Sequence, residues 1–175
     1  MNYADIKKVD VANGPGVRVS LFVSGCPHRC EGCFNPETWD FSYNSPFGEE
    51  EVNRILTFLT PSHIRGLSLL GGEPFAPSNQ RAVLELVDRV RSELPEKTVW
   101  CYSGYLFEEL AAGRVGELSR ALLERLDVLV DGPFVLAQKD LGLRFRGSSN
   151  QRILDVPASL RAGSPQLAEE YMGLS

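Results

Sequence analysis

Three cysteines fall within eight residues, in the run Cys26-Pro27-His28-Arg29-Cys30-Glu31-Gly32-Cys33. Their spacing is C-x3-C-x2-C, and no fourth cysteine follows nearby; the remaining one is Cys101. Thiolates so closely spaced suit an iron–sulfur cluster, and a [4Fe–4S] cube takes four of them when fully ligated. Three leave one iron open to a small molecule. An open iron on a low-potential cluster is a site for chemistry and not only for electron storage.

Other uses of clustered cysteines fit less well. A structural zinc site takes four ligands, often as two short pairs. The fourth would have to come from His28, His63, Cys101 or an acid. His28 lies inside the loop, where it cannot easily complete a tetrahedron with all three thiolates. Disulfides belong to exported proteins, whereas cytosolic cysteine clusters are metal ligands or catalytic groups. No charged-then-apolar leader with a cleavage site is visible, so a cytoplasmic protein is expected.

The elements that must position this loop read as alternating strands and helices. Val17 to Val23 is β-branched and apolar, a strand that runs directly into Ser24-Gly25 and the cysteines. Val52, Ile55, Leu56 and Leu59 recur at helical spacing. Gly66 to Leu70 is a buried strand ending in Gly71-Gly72-Glu73-Pro74. A helix follows over Asn79 to Leu94, with Ser78 as its candidate N-cap. Thr98 to Tyr102 is a third strand, closed by Ser103-Gly104. Leu106 to Leu126 is largely helical, with a break near Gly113 or Gly116. Asp127 to Val130 is a fourth strand, stopped by Asp131-Gly132-Pro133, and Ile153 to Val156 is a candidate late strand. Alternation of this kind implies βαβ units and a parallel sheet, whose functional residues gather at the carboxyl ends of the strands. Four motifs far apart in sequence would then converge on one rim.

Size and charge narrow the possibilities. A chain of 175 residues suits one domain with one sizeable core. A formal charge of −5 argues against a broad nucleic-acid-binding face and leaves room for a local basic patch around Arg144, Arg146 and Arg152. No apolar run approaches the ~20 residues that span a membrane. The expected division is a domain over 1–156 and a loosely ordered tail over 157–175, because the chain from Pro157 is rich in Pro, Ser and Gly.

The motifs together resemble a known family. Asn13-Gly14-Pro15-Gly16-Val17-Arg18, Leu21 to Cys26, Gly32-Cys33-Phe34-Asn35 and Gly71-Gly72-Glu73-Pro74 carry the likeness, with Ser103-Gly104-Tyr105, Val128 to Gly132 and Arg146 to Gln151. They are similar to the activating proteins of anaerobic (class III) ribonucleoside-triphosphate reductase, radical S-adenosylmethionine enzymes. The cysteine motif is specific for the superfamily. The Asn-Gly-Pro-Gly and Arg-Gly-Ser-Ser-Asn-Gln segments narrow it to the reductase activases. Phe34 departs mildly, since tyrosine is also common there, and the tail after Val156 has no counterpart.

The resemblance implies a [4Fe–4S] cluster on Cys26, Cys30 and Cys33, with S-adenosylmethionine as second cofactor. Gly32, Cys33 and Phe34 would lie against cluster and cofactor, Phe34 as a shield that packs near the adenine. Gly71 and Gly72 would let the backbone approach the cofactor, and Glu73 would help hold its methionyl amino group. Ser103 and Asp131 would position its ribose or carboxylate. No side chain is singled out as catalytic, because cluster and cofactor carry the chemistry. Cys101 is expected in the core. A full (β/α)8 barrel needs ~250 residues, so size and resemblance imply a partial (β/α) barrel of about five to six mostly parallel strands, open on one side. The reductase would close that side, and a donor such as flavodoxin would supply electrons. Alternatives are an activase of another glycyl-radical enzyme, such as pyruvate formate-lyase, and a non-catalytic metal-binding interaction module.

Overall fold

The computed structural model describes residues 1–172; residues 173–175 of the expected tail lie outside the described residues. In chain order the elements are β1 (Asn2–Asp10), β2 (Val17–Val23), β3 (Ser45–Pro46), α1 (Glu49–Leu59), β4 (Ile64–Gly71) and α2 (Pro77–Glu93). They continue with β5 (Thr98–Ser103), α3 (Phe107–Ala111), α4 (Ser119–Leu123), β6 (Val128–Asp131), β7 (Arg152–Asp155) and α5 (Val156–Ala162). One seven-stranded sheet has the order β3-β1-β2-β4-β5-β6-β7. Strands β2, β4, β5 and β6 are mutually parallel, and β1, β3 and β7 pair antiparallel at the flanks. The fold is mixed α/β, as the alternation implies, but the expected five to six strands become seven. The principal addition is β1, which carries charges at Asp5, Lys7, Lys8 and Asp10 and so lacks the apolar run of a buried strand.

Strand alternation gives the sheet two unlike faces. Val19, Leu21, Val23, Leu67, Leu69, Val99, Cys101, Leu129 and Leu154 join the main core, which the helices complete through Ile55, Leu59, Val83, Val87, Val90, Leu110 and Leu122. Each such side chain contributes roughly 1.5–3 kcal/mol on burial. Cys101 sits in this core, and burial drives its thiol pKa well up.

The other face carries Arg18, Ser20, Phe22, Ser68, Leu70, Trp100 and Tyr102, the alternate residues of the same strands. Arg18 is almost fully buried. Its Nε donates to Ser68 Oγ (2.8 Å), and its terminal nitrogens donate to Thr98 Oγ1 (3.0 Å), Leu67 O (3.0 Å) and Thr98 O (3.2 Å). The Asn13-to-Gly16 turn closes this cage, since Ser68 Oγ donates to Asn13 O at 2.5 Å. Burial, with Arg65 nearby, lowers the Arg18 pKa to about 10, still high enough to keep it charged. Farther along, Trp100, Val130, Ile153 and Ala168 form a second, smaller core.

Three local expectations change. Helix α2 begins at Pro77 with Ala76 at the N-cap, and no side chain caps it; Pro77 supplies the start because its missing N–H would go unpaired there anyway. The helical stretch after Leu106 breaks around Gly113 and Gly116 as expected, but its helical parts shrink to two helices of 5 residues each, α3 and α4. The segment after Val156, expected to be loose, is built into the fold. Asp155 Oδ1 accepts from Ala158 N at 2.9 Å and caps α5, which ends at Gly163 in the left-handed conformation. The chain then returns along β7, with Asp155 N donating to Gln166 O (2.9 Å) and Ala168 N to Ile153 O (2.8 Å).

The Arg18 cage predicts a specific instability. Arg18→Ala strips the Ser68 and Thr98 oxygens and the Leu67 carbonyl of this donor and leaves a buried cavity. We expect a loss of about 3 kcal/mol, read as a lower urea midpoint.

Candidate functional site

The cysteine loop leaves β2 and is braced from both sides. Gly25 N donates to Thr38 O (2.7 Å) and Cys26 N to Trp39 O (3.2 Å), from the Pro36–Trp39 turn. Glu73 N donates to Gly25 O at 2.7 Å, and Asn79 Nδ2 reaches Ser24 O at 3.0 Å. Cys33 N closes the loop on Cys30 O at 3.1 Å. Gly32, between them, has φ +80°, a backbone that favours glycine. A Cβ there would meet Leu136 Cδ1 at 2.8 Å, so the loop also packs against the chain that follows β6.

Glu73 joins this loop to the sheet. It is 1 % exposed, and both carboxylate oxygens are used. Oε1 lies 2.7 Å from His28 Nε2 and accepts from Gly104 N (2.7 Å) and Ser103 Oγ (3.0 Å). Oε2 accepts from Phe75 N (2.8 Å) and Ser103 Oγ (3.0 Å). His28 also packs edge-on against Tyr105, ring centroids 4.5 Å apart. A buried carboxylate is tolerated only with such a set of donors. It ties the middle of the cysteine loop to the ends of β4 and β5.

The three thiols face one cavity of about 540 Å³ at the carboxyl rim of the parallel strands. Its wall includes Gly71, Gly72 and Glu73 at the end of β4, Ser103 and Gly104 at the end of β5, Gly132 after β6, and Phe34 from the loop. Phe22, Leu70, Tyr102 and Phe134 make its apolar side. Lys7, His28 and Arg146 are its basic groups. Burial, with Glu73 adding to it, raises the Cys26 thiol pKa to about 11, so a metal that binds this sulfur near neutral pH displaces its proton. Among the described residues no three His, Cys, Asp or Glu side chains converge on a point that one ion could fill. The donor set, three thiols spread around a shared space, fits a multi-iron cube.

The sequence-selected residues divide into distinct groups. Cys26, Cys30, Cys33, Phe34, Gly71, Gly72, Glu73 and Ser103 line the cavity; Gly32 and Asp131 do not. Phe34 is 67 % exposed, with its ring near Phe134 (5.9 Å) and Lys139 Nζ (5.4 Å). Asp131 is fully buried, and Arg152 Nε (2.9 Å) and Phe107 N (2.7 Å) occupy its carboxylate. Arg152 also pairs with Glu108 at 2.9 Å, so it is no part of a basic patch. That pairing lowers the Glu108 pKa, while Asp131 first and Glu108 second raise that of Arg152. The sequence reading missed His28 as the loop's anchor and Lys7, on the edge of an overlooked strand. It also missed Tyr102, which period-2 alternation with Trp100 could have placed on the cavity face.

The glycines after β4 serve the protein's own backbone first. A Cβ on Gly72 would meet Gly25 O at 2.5 Å and Thr38 O at 2.9 Å; one on Gly71 would meet the backbone of β2. Gly72→Val therefore displaces the cysteine loop itself. We expect it to lose iron and sulfide after anaerobic reconstitution, measured colorimetrically, and not merely to weaken a second ligand.

Comparison with known proteins agrees with this site. Residues 12–154 match the family model described as a 4Fe-4S single cluster domain. The chain is 47% identical over 155 residues to the anaerobic ribonucleoside-triphosphate reductase-activating protein of Vibrio cholerae, covering 87% of this chain and 97% of that one. The protein of the same name from Escherichia coli K12 is 43% identical over 153 residues, covering 86% and 96%. That of Enterobacteria phage T4 is 39% identical over 155 residues, covering 87% and 93%. With a three-thiol loop at its strand ends and likeness running through nearly the full length of these relatives, the chain belongs to the family of anaerobic ribonucleoside-triphosphate reductase-activating proteins.

Proposed function

We propose that this chain is a radical S-adenosylmethionine enzyme that generates a glycyl radical on anaerobic ribonucleoside-triphosphate reductase. The observation that carries this reading is a three-thiol loop seated on the rim of parallel strands, facing a cavity with space beyond it. Cys26, Cys30 and Cys33 would hold the [4Fe–4S] cluster, leaving one iron for S-adenosylmethionine. Bound together, these groups would supply reductive cleavage of a sulfonium C–S bond and, through it, removal of a hydrogen atom from a glycine Cα. The relatives' names supply the partner, and a donor such as flavodoxin supplies the electron.

The chain's own residues bind, orient and exclude water. Lys7 and Arg146 suit the methionyl carboxylate; Arg146 Nε is buried without a partner, which favours an anionic ligand beside it. Tyr102, Phe22, Leu70 and Phe134 offer an apolar wall to the adenosyl group. Glu73 and Ser103 act on the cysteine loop, because their polar atoms already bond within the protein. In this reading Met1 to Val156 is the activase domain and its sheet a partial barrel open at the cavity mouth. Phe34 and Leu141 stand exposed there, Leu141 at 87 %, with Lys139 Nζ over the Phe34 ring at 5.4 Å. An apolar rim of this kind suits a protein partner that closes the open side. No helix among the described residues is long and apolar enough to cross a membrane, and a cytoplasmic setting completes the proposal.

Two experiments test it. Alanine at Cys26, Cys30 or Cys33 should abolish cluster absorbance and cleavage of S-adenosylmethionine, while Cys101→Ala keeps both; full cluster content in Cys30→Ala would sink the assignment. The reduced, cluster-loaded protein should give a glycyl doublet in electron paramagnetic resonance when the reductase is added, and none with pyruvate formate-lyase. The reverse outcome moves the chain to another activase class.

A further inference from the structure

We propose that residues 164–172 form a strap that fixes the Lys139–Ser148 loop over the cavity, with Tyr171 as its positioning residue. The strap lies beyond the family-model match, which ends at residue 154. It starts from α5 and is pinned to β7 by backbone bonds at Gln166 and Ala168 and by the Leu154–Leu167 bridge. Ser159 Oγ, accepting from Gln166 N at 2.8 Å, sets its direction. Ala168 is buried in the second core, and Met172 packs beside it.

The loop that the strap meets is a hairpin-like excursion. Lys139 and Ser148 bridge its base, and Asp140 N donates to Gly147 O at 3.2 Å. Between them Asp140, Leu141, Leu143, Phe145, Arg146 and Gly147 line the cavity. Phe145 turns back toward the sheet with φ +63°, a conformation that costs energy in a residue with a side chain and needs packing to hold it. The packing is aromatic. The Phe145 ring lies edge-on to Trp100 at 5.4 Å and to Tyr171 at 6.3 Å, and Trp100 meets Tyr171 at 5.2 Å. Tyr171 thus completes a three-ring cluster that holds the strained residue, and next to it Arg146 faces the cavity. Without the strap, Phe145 keeps one ring of the two, and the loop gains freedom to leave the mouth.

The proposal rests on reading the cavity as the cofactor site, and its test separates the two ideas. Trypsin can cut at Arg144 and Arg146, inside the loop. On the full-length, cluster-loaded protein we expect Tyr171→Ala to raise cleavage there about tenfold, the size expected for loss of two aromatic contacts. Tyr171→Phe keeps the ring and should cut at the native rate. Calorimetry with S-adenosylmethionine should show about tenfold weaker binding for Tyr171→Ala, with iron content unchanged and native affinity in Tyr171→Phe. Equal cleavage in Tyr171→Ala and native protein overturns the strap. Faster cleavage with unchanged affinity overturns the positioning role. Absence of binding by the native protein counts against the cofactor reading, and the cleavage comparison still decides the strap.

Discussion

The site depends on one buried carboxylate. Glu73 sits under the rim with His28 on one side, Ser103 and Gly104 on the other and the Phe75 amide behind. An ionised carboxylate in the interior is costly unless its lone pairs are filled. Those donors come from the cysteine loop, the end of β5 and its own turn, so satisfying the charge fixes all three relative to one another. Removing any one donor leaves a partly unsatisfied charge, and this couples the loop to the sheet more firmly than apolar contact could. The glycines beside Glu73 serve the same end by letting Gly25 and Thr38 come close.

The two faces of the sheet divide stability from chemistry. One face is continuous apolar packing against the helices, which orders the parallel strands and brings their carboxyl ends level. The other holds Arg18 in a cage of neutral oxygens at one end and the cavity at the other. A charged residue without a carboxylate partner is poor value for stability alone. It does tie β2, β4 and β5 to the Asn13 turn, which contributes to the cavity wall. The cavity needs that order, because its walls come from segments spread over most of the chain.

The far wall is the least regular part of the molecule. It comes from the long connection between β6 and β7, held by side chain to backbone bonds such as Gln151 Oε1 with Gly147 N at 2.8 Å. Gln151 Nε2 donates in turn to Gly132 O at 3.1 Å. The Arg-Gly-Ser-Ser-Asn-Gln run is therefore largely a self-bonded loop that keeps Arg146 at the wall. Aromatic packing from Trp100 and Tyr171 braces it from outside the cavity.

Local chemistry made some of this legible in the chain alone. Cysteine spacing reports ligation because neighbouring thiols must reach one cluster, and period-2 and helical apolar patterns report strands and helices because burial is one-sided. From these the three-cysteine loop, the parallel middle of the sheet and the convergence of motifs at strand ends could be read. Partners distant in sequence could not. Glu73 reads as a ligand to cofactor until folding brings His28 and Gly104 to it; Asp131 reads the same way until Arg152 and Phe107 claim it. Strand β1 was hidden because the two-residue β3 covers it only at Asn2 and Tyr3, and the rest of its length is an open margin that needs no continuous apolar run. The capped helix after Asp155 was hidden by its Pro, Ser and Gly content, although Asp155, Pro157 and Gly163 stand at start and stop positions. Its return along β7 and the seating of Tyr171 on Trp100 follow from no local pattern. They are contacts between distant segments, whose entropy cost is offset only when the whole sheet is in place.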